Sequence, residues 1–386
     1  MKTKTISVAL IIVLFSSSIA NQDSQQIQSV SRSKLNQIDI NLDIDPSQRL
    51  KDLHSIYAPV LKDVEKKMII QMKKMYNLSE NVFKLLSTVL RFAYYFKTNS
   101  EIFDEIISIS RASGVEISHL MLFNFFYEIS SEKLCTSIIT RNSDGEILFG
   151  SNLDFFFPAE LSQLAYFGNF KKNGKTLYIG QGLYGVIGLL RGSRPGEYTL
   201  SINQRNSHQT TIFREIFSFG SREILYFVRE VLETKESFSS ALEYIKTAKL
   251  RSTAYYIIGG VSGNEGRLVI RNPDSVHAEY ALNSTKWFIV QTNSDRDDPN
   301  AKMDRRREAA ERKLTQRGPD GLDLVDLDKI LSETPNHMLQ PNLATITTVL
   351  SRNDENNQFF AYVWNFRESL VEDDKSKDSF GELLEE

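Results

Sequence analysis

Cys135 is the only cysteine in 386 residues, and it lies in SSEKLCTSIIT, between a polar stretch and a run of β-branched residues. A lone thiol is either an inert buried hydrophobe or a nucleophile. Only the thiolate attacks well, so a working cysteine needs a base. A histidine is one source, and the five here (His54, His119, His208, His277 and His337) are dispersed without metal-ligand spacing. The other source is a free α-amine, which arises when the chain is cut immediately before the nucleophile. Such an amine has an ordinary pKa of about 7.7–8.0 and accepts a proton under mild conditions. Cys135 stands where a helical N-terminal third gives way to a strand-rich remainder, a natural place for such a cut.

The compartment bears on both fates of the thiol. The chain opens MKTKTISVALIIVLFSSSIAN, with Lys2 and Lys4, an apolar run from Ile6 to Phe15, and small residues ending at Ala20. This is the layout of a secretory signal peptide over residues 1–20, and the run is too short to span a bilayer. The expected location is the secretory pathway, ending in the lysosome or outside the cell. Two sequons, at Asn77 and Asn283, fit glycosylation during that passage. The net charge of −3 gives no broad basic surface, so no nucleic-acid partner is expected.

The elements that must position Cys135 follow from periodicity. In LKDVEKKMIIQMKKMY, apolar residues recur at three- and four-residue steps from Val64 to Tyr76, which predicts an amphipathic helix. Residues 79–96, 104–110 and 119–129 continue the helical style, mainly as core, with lipid-surface contact a second use for one or two of these helices. After Cys135 the pattern becomes strand and turn. TSIIT and EILFGSNLDFFF, joined at Asn142-Ser143-Asp144-Gly145, predict a hairpin. TLYIGQGL, YGVIGLL, EYTLSIN, AYYIIGG, RLVIRN, WFIVQT, ATITTVLSR and QFFAYVWNF read as strands, and 222–233 and 238–248 as helices. Runs of strands interrupted by paired helices indicate an α+β layered fold. Residues 367–386 read as an acidic, disordered tail. GQGLYG at 180–185 matches a dinucleotide-binding pattern but runs into further strand and turn, so it reads as glycine kinks in a sheet. KMDRRREAAERK reads as a solvated helix face.

The segment CTSIITRNSDGEILFGSNLDF resembles the start of the mature catalytic subunit in the acid ceramidase and N-acylethanolamine acid amidase family. NLDIDPSQR, GVIGLLRGSRPGEYTLSINQR, AYYIIGG, VQTNSDR and DRRR extend the similarity over about residues 40 to 365. The resemblance implies an αββα sandwich of the N-terminal-nucleophile hydrolase type, made as a proenzyme that cleaves itself between Leu134 and Cys135. Residues 21–134 would form a helical α-subunit and 135–366 a catalytic β-subunit, both from one chain. It implies a cysteine amidase acting on a lipid N-acyl amide (an N-acylethanolamine or a ceramide) with transient membrane-surface contact, and no metal or organic cofactor. Residue by residue, Cys135 matches the nucleophile, Asp154 the aspartate that holds the amine and thiol in geometry, Asn293 the amide donor to the oxyanion, and Arg305 an active-site arginine.

At two positions the chain departs from the family pattern. Ser151 stands where the family has arginine, and Gln204 where it has glutamate. Serine lacks a guanidinium's charge and donor fork, and glutamine cannot take up a proton as a carboxylate does. The expectation is therefore weakened self-cleavage or catalysis, relieved by restoring both charges. The alternatives are a catalytically weakened or inactive lipid-binding homologue, or an acylase for non-lipid amides.

Overall fold

The computed structural model describes residues 29–35, 37–75, 79–97, 100–129, 133–155, 159–205, 221–261, 263–298, 305–332, 344–351 and 359–367. The expected signal peptide, the Asn77 sequon, His208, His337 and the acidic tail beyond Arg367 lie outside the described residues.

The expected hairpin is present. β3 (Lys133–Arg141) and β4 (Ile147–Phe155) pair antiparallel from Lys133↔Phe155 to Arg141↔Ile147. Gly145 turns the chain at φ 85°, a left-handed conformation that suits glycine. Asn142 fastens the turn by accepting the Glu146 N–H at its side-chain oxygen, 2.8 Å away.

This hairpin sits within a six-stranded sheet of order β1 (Ser29–Lys34), β14 (Phe359–Arg367), β13 (Ala344–Ser351), β4, β3, β12 (Phe288–Gln291). An eight-stranded sheet runs β11 (Val276–Ala281), β10 (Gly266–Arg271), β9 (Ala254–Gly259), β8 (Tyr198–Gln204), β7 (Arg191–Arg194), β6 (Lys175–Leu183), β5 (Ala165–Lys172), β2 (Gln37–Asn41). Alternation along β3 and β4 builds two cores. Ile139, Ile147, Phe149 and Leu153 join the apolar layer that includes Leu200, Ile202 and Ile257 of the other sheet. Ile138 and Leu148 point the other way, against Ala309, Ala310 and Leu314 of α7 (Arg305–Arg317) and Leu327 and Leu331 of α8 (Leu324–Ser332). α5 (Ile224–Thr234) and α6 (Phe238–Thr247) cover the eight-stranded sheet. The result is the expected αββα sandwich.

The N-terminal part holds four helices, α1 (Lys51–Met75), α2 (Glu80–Lys97), α3 (Ser100–Ser113) and α4 (Ile117–Ile129). Val64, Met68 and Met72 of α1 are buried, as the periodicity required. This part is not purely helical: β1 closes one edge of the six-stranded sheet and β2 closes one edge of the eight-stranded sheet. β1 is short and polar, and β2 offers only the alternating Ile38 and Ile40 over five residues, a weak signal. Glu105 of α3 and Arg229 of α5, both buried, form a two-pronged ion pair at 2.5 and 2.8 Å between the N-terminal helices and the sandwich.

Two readings change. YGVIGLL is not a strand; Ile187 N–H donates to the Asn124 side chain of α4 and Leu189 N–H to the Leu225 carbonyl of α5, so part of its backbone is spent on helices. Gly188 is needed there, because a Cβ would fall 2.4 Å from the Leu225 carbonyl carbon. The KMDRRREAAERK face is not wholly solvated either, since Arg306 is only 3% exposed. Among the described residues no helix is long and apolar enough to cross a membrane.

Candidate active site

β3 delivers Cys135 into the gap between the sheets, 1% exposed and on the same strand face as Ser137 and Ile139. Its main-chain N–H donates to Asn293 Oδ1 at 2.6 Å, and Asn293 Nδ2 donates to the Gln204 carbonyl at 2.9 Å. Arg306 Nη1 donates to the Cys135 carbonyl at 3.0 Å, and Nη2 to Asn293 Oδ1 at 3.1 Å. Asp154, fully buried, lies opposite Leu134 in the hairpin register, with Oδ2 3.9 Å from Arg306 Nη1. The backbone of Leu134–Cys135 is thus framed by Asn293, Arg306 and Asp154.

A second group holds Asn293 in place. The Asp295 carboxylate accepts from Arg205 Nε and Nη2 at 2.8 and 2.6 Å and from the Tyr255 hydroxyl at 2.7 Å. Tyr255 also donates to the Asn293 carbonyl at 3.4 Å. Burial works to raise the Asp295 carboxyl, but hydrogen bonds from Arg205 and Tyr255 outweigh it and hold the group below the usual carboxylate range. His277 and Asp297 bring ligand atoms within 4.8 Å of Asp295, yet that carboxylate is already committed to Arg205.

Electrostatics at the thiol pull in two directions. Burial pushes the Cys135 thiol up; a backbone hydrogen bond from Gln204, the charge of Arg191, a hydrogen bond from Asn293 and the charge of Arg306 pull it down. Burial prevails, so the resting group is a thiol.

Cys135, Asp154 and Asn293 therefore come together as the motifs suggested. Arg305 does not: it is exposed at the start of α7, and the next residue, Arg306, enters the cluster. Gln204 is present through its backbone, which holds both the sulfur and Asn293. Ser151 is 1% exposed and accepts from Arg191 Nη1 at its carbonyl, 2.8 Å away, and again at its hydroxyl. The described histidines are engaged elsewhere, His54 with Tyr184 at 2.7 Å, His119 with Glu65 at 2.6 Å and His277 near Asp295 at 3.9 Å. Asn283 is exposed, in a turn where its side-chain oxygen accepts from the Thr285 N–H and hydroxyl.

Comparison with known proteins decides the lineage. The N-acylethanolamine-hydrolyzing acid amidase of Caenorhabditis elegans is 32% identical over 327 residues, spanning 81% of this chain and 88% of its own. The chain belongs to the acid ceramidase and N-acylethanolamine acid amidase family. The acid ceramidase of Bos taurus is 28% identical over 336 residues, 81% of this chain and 82% of its own. The structure of the Caenorhabditis elegans N-acylethanolamine-hydrolyzing acid amidase ortholog superposes with a TM-score of 0.52 over 58% of this chain and 95% of that one, at 32% identity. Residues 135–265 also match the linear amide C–N hydrolases of the choloylglycine hydrolase family. That match begins at Cys135.

Proposed function

We propose that this member of the acid ceramidase and N-acylethanolamine acid amidase family cuts itself between Leu134 and Cys135 and then hydrolyses a lipid N-acyl amide through a Cys135 thioester. The observation that carries the reading is the hydrogen bond from the Cys135 N–H to Asn293 Oδ1. The amide nitrogen that must become an α-amine is already held beside the sulfur that must attack.

In self-cleavage Sγ attacks the Leu134 carbonyl carbon and the thiol proton passes to the departing Cys135 nitrogen. Water then hydrolyses the resulting ester of sulfur, leaving a Leu134 carboxylate, a free thiol and a free amine. In turnover the amine takes the thiol proton while Sγ attacks the substrate carbonyl, and returns it to the leaving amine. Water releases the fatty acid and restores the thiol. Asn293 gives one Nδ2–H to the Gln204 carbonyl and its other to the resting sulfur, and this second donor turns to the oxyanion as charge moves there. Asp154 and Arg306 fix the main chain around the new terminus.

Contact with lipid is supported by the N-terminal helices. Ile70, Val82 and Leu85 are exposed among lysines of α1 and α2, and a cavity of about 1070 Å3 lined partly by Phe83, Phe103 and Ile107 lies nearby. A secretory route ending in the lysosome or outside the cell, with sugar at Asn77 and Asn283, fits the same reading.

The test is to incubate the secreted protein at acidic pH, follow cleavage by gel and N-terminal sequencing, and measure fatty-acid release from a fluorogenic N-acyl amide. A new N-terminus at Cys135 that appears together with amide hydrolysis is the expected result. A folded chain that stays uncut and inactive after prolonged acid incubation overturns the reading.

A further inference from the structure

Position 151 faces the opposite sheet, and what it faces changes the meaning of the serine. Ser137, Ser151 and Thr348 occupy one rung of the six-stranded sheet, on β3, β4 and β13. Gln181, Arg191 and Ser201 occupy one rung of the eight-stranded sheet, on β6, β7 and β8. The two rungs are stitched together across the sandwich. Thr348 Oγ1 donates to Gln181 Oε1 at 2.9 Å, Arg191 Nη1 donates to both oxygens of Ser151, and the Ser137 and Ser201 hydroxyls meet at 3.2 Å. All six side chains are essentially buried. This polar seam lies one step along β3 from Cys135, on the same strand face.

We propose that Arg191, delivered from the opposite sheet, is the positioning residue that supplies a cation to the Cys135 sulfur, and that Ser151 is its docking point. The inference rests on the reading of Cys135 as nucleophile. A guanidinium that is 1% exposed is costly to bury and needs a reason to be there. Positions 151 and 191 point into the same inter-sheet gap, so a guanidinium rooted in either strand reaches the same place. Serine at 151 leaves room for the Arg191 fork and accepts from it twice, where a second arginine would crowd and repel it. The other charged groups around Cys135 are Arg306 from α7 and Asp154 from β4. Arg191 is the cation among them that lies on the seam side, and it acts on the thiol by its charge. During reaction Sγ loses its proton to the amine and gains the bond to the acyl carbon. Arg191 keeps its protons throughout and stabilises the sulfur while it is anionic.

The test compares wild type with Arg191→Gln, Arg191→Lys, Arg191→Ser, Ser151→Arg and the exchange that combines Ser151→Arg with Arg191→Ser. Self-cleavage and hydrolysis of a fluorogenic N-acyl amide are followed across pH. Arg191→Gln is expected to lower both rates by about 100-fold or more, mainly in kcat. Its rate profile should also move to higher pH by about one unit, because the thiolate loses a favourable charge. Arg191→Lys should retain part of the rate. Ser151→Arg alone should be slower than wild type, and the exchange should run at least tenfold faster than Arg191→Ser. A folded Arg191→Gln with wild-type rates and pH profile overturns the proposal. So does an exchange variant no faster than Arg191→Ser, a comparison that still decides if Arg191→Gln fails to fold. Cys135→Ala run in parallel separates the two layers: turnover without Cys135 removes the nucleophile reading itself, whereas a dead Cys135→Ala beside a normal Arg191→Gln removes only Arg191.

Discussion

Asn293 and Cys135 are 158 residues apart in the chain, yet the asparagine's Oδ1 holds the cysteine's main-chain N–H at 2.6 Å. The bond is made before any cut, to the nitrogen that a cut would free. It gives a polar residue after β12 a part in the geometry of β3, and it makes the loop from Asn293 to Asp295 the element on which the site depends.

Cys135→Ala is expected to abolish cleavage and amide hydrolysis while the protein stays folded, because no other thiol exists to substitute. The lost sulfur is small, so the unfolding midpoint should move by only a few degrees. Full amidase activity in this variant would remove the nucleophile assignment.

Asn293→Ala removes the acceptor for the Cys135 N–H and the donor placed for the oxyanion. Loss of one such donor typically lowers kcat by about 100- to 1000-fold. Steady-state kinetics on any fraction that still matures should show the loss mainly in kcat, with KM little changed.

Neighbouring arginines should separate cleanly. Arg305 is exposed, so Arg305→Ala is expected to stay within about 0.5 kcal/mol of wild-type stability and near wild-type activity. Arg306→Ala strips donors from the Cys135 carbonyl and from Asn293, and cleavage should slow at least tenfold. Equal effects of the two substitutions would contradict the placement of α7.

The Asp295 clamp has a defined pH signature. The folded carboxyl titrates below its unfolded value of about 3.9, so its stabilisation is complete above that pH and is lost as pH falls through the folded value. The gap in unfolding temperature between wild type and Asp295→Asn should therefore be constant from neutral pH to about 5. It should close below about 4. A gap that widens on acidification would mean the carboxylate is not held by Arg205 and Tyr255.

The two fragments should remain together after cleavage, because β1 and β2 are hydrogen-bonded into both sheets and Glu105 is paired with Arg229. Native gel filtration after acid treatment should give one peak containing both. Glu105→Ala leaves a buried guanidinium without this carboxylate and should cost about 3–5 kcal/mol. Early loss of the smaller fragment on mild heating would report it.

The sequence by itself determined a great deal here. The helix periodicity around Val64, Met68 and Met72 and the β3–β4 hairpin with its Asn142–Gly145 turn are local or period-based signals, and they survive folding unchanged. The ordered motifs likewise brought Cys135, Asp154 and Asn293 forward as candidates, and they meet in space. Arg306 was partly legible: with Ala309, Ala310 and Leu314 it lies on the buried stripe of α7, whereas Arg305 lies off it. Arg191 was not legible. Its neighbour Ser151 is forty residues back on another sheet, and the contact exists only because the two rungs face one another across the sandwich. Nor could the sequence say that Gln204 serves through its peptide group, since every residue type offers the same N–H and carbonyl. Residue types along the chain fix which chemistry is available. Which charge stands beside the sulfur is decided by sheet-on-sheet packing, where side chains rooted in distant strands fill one shared space.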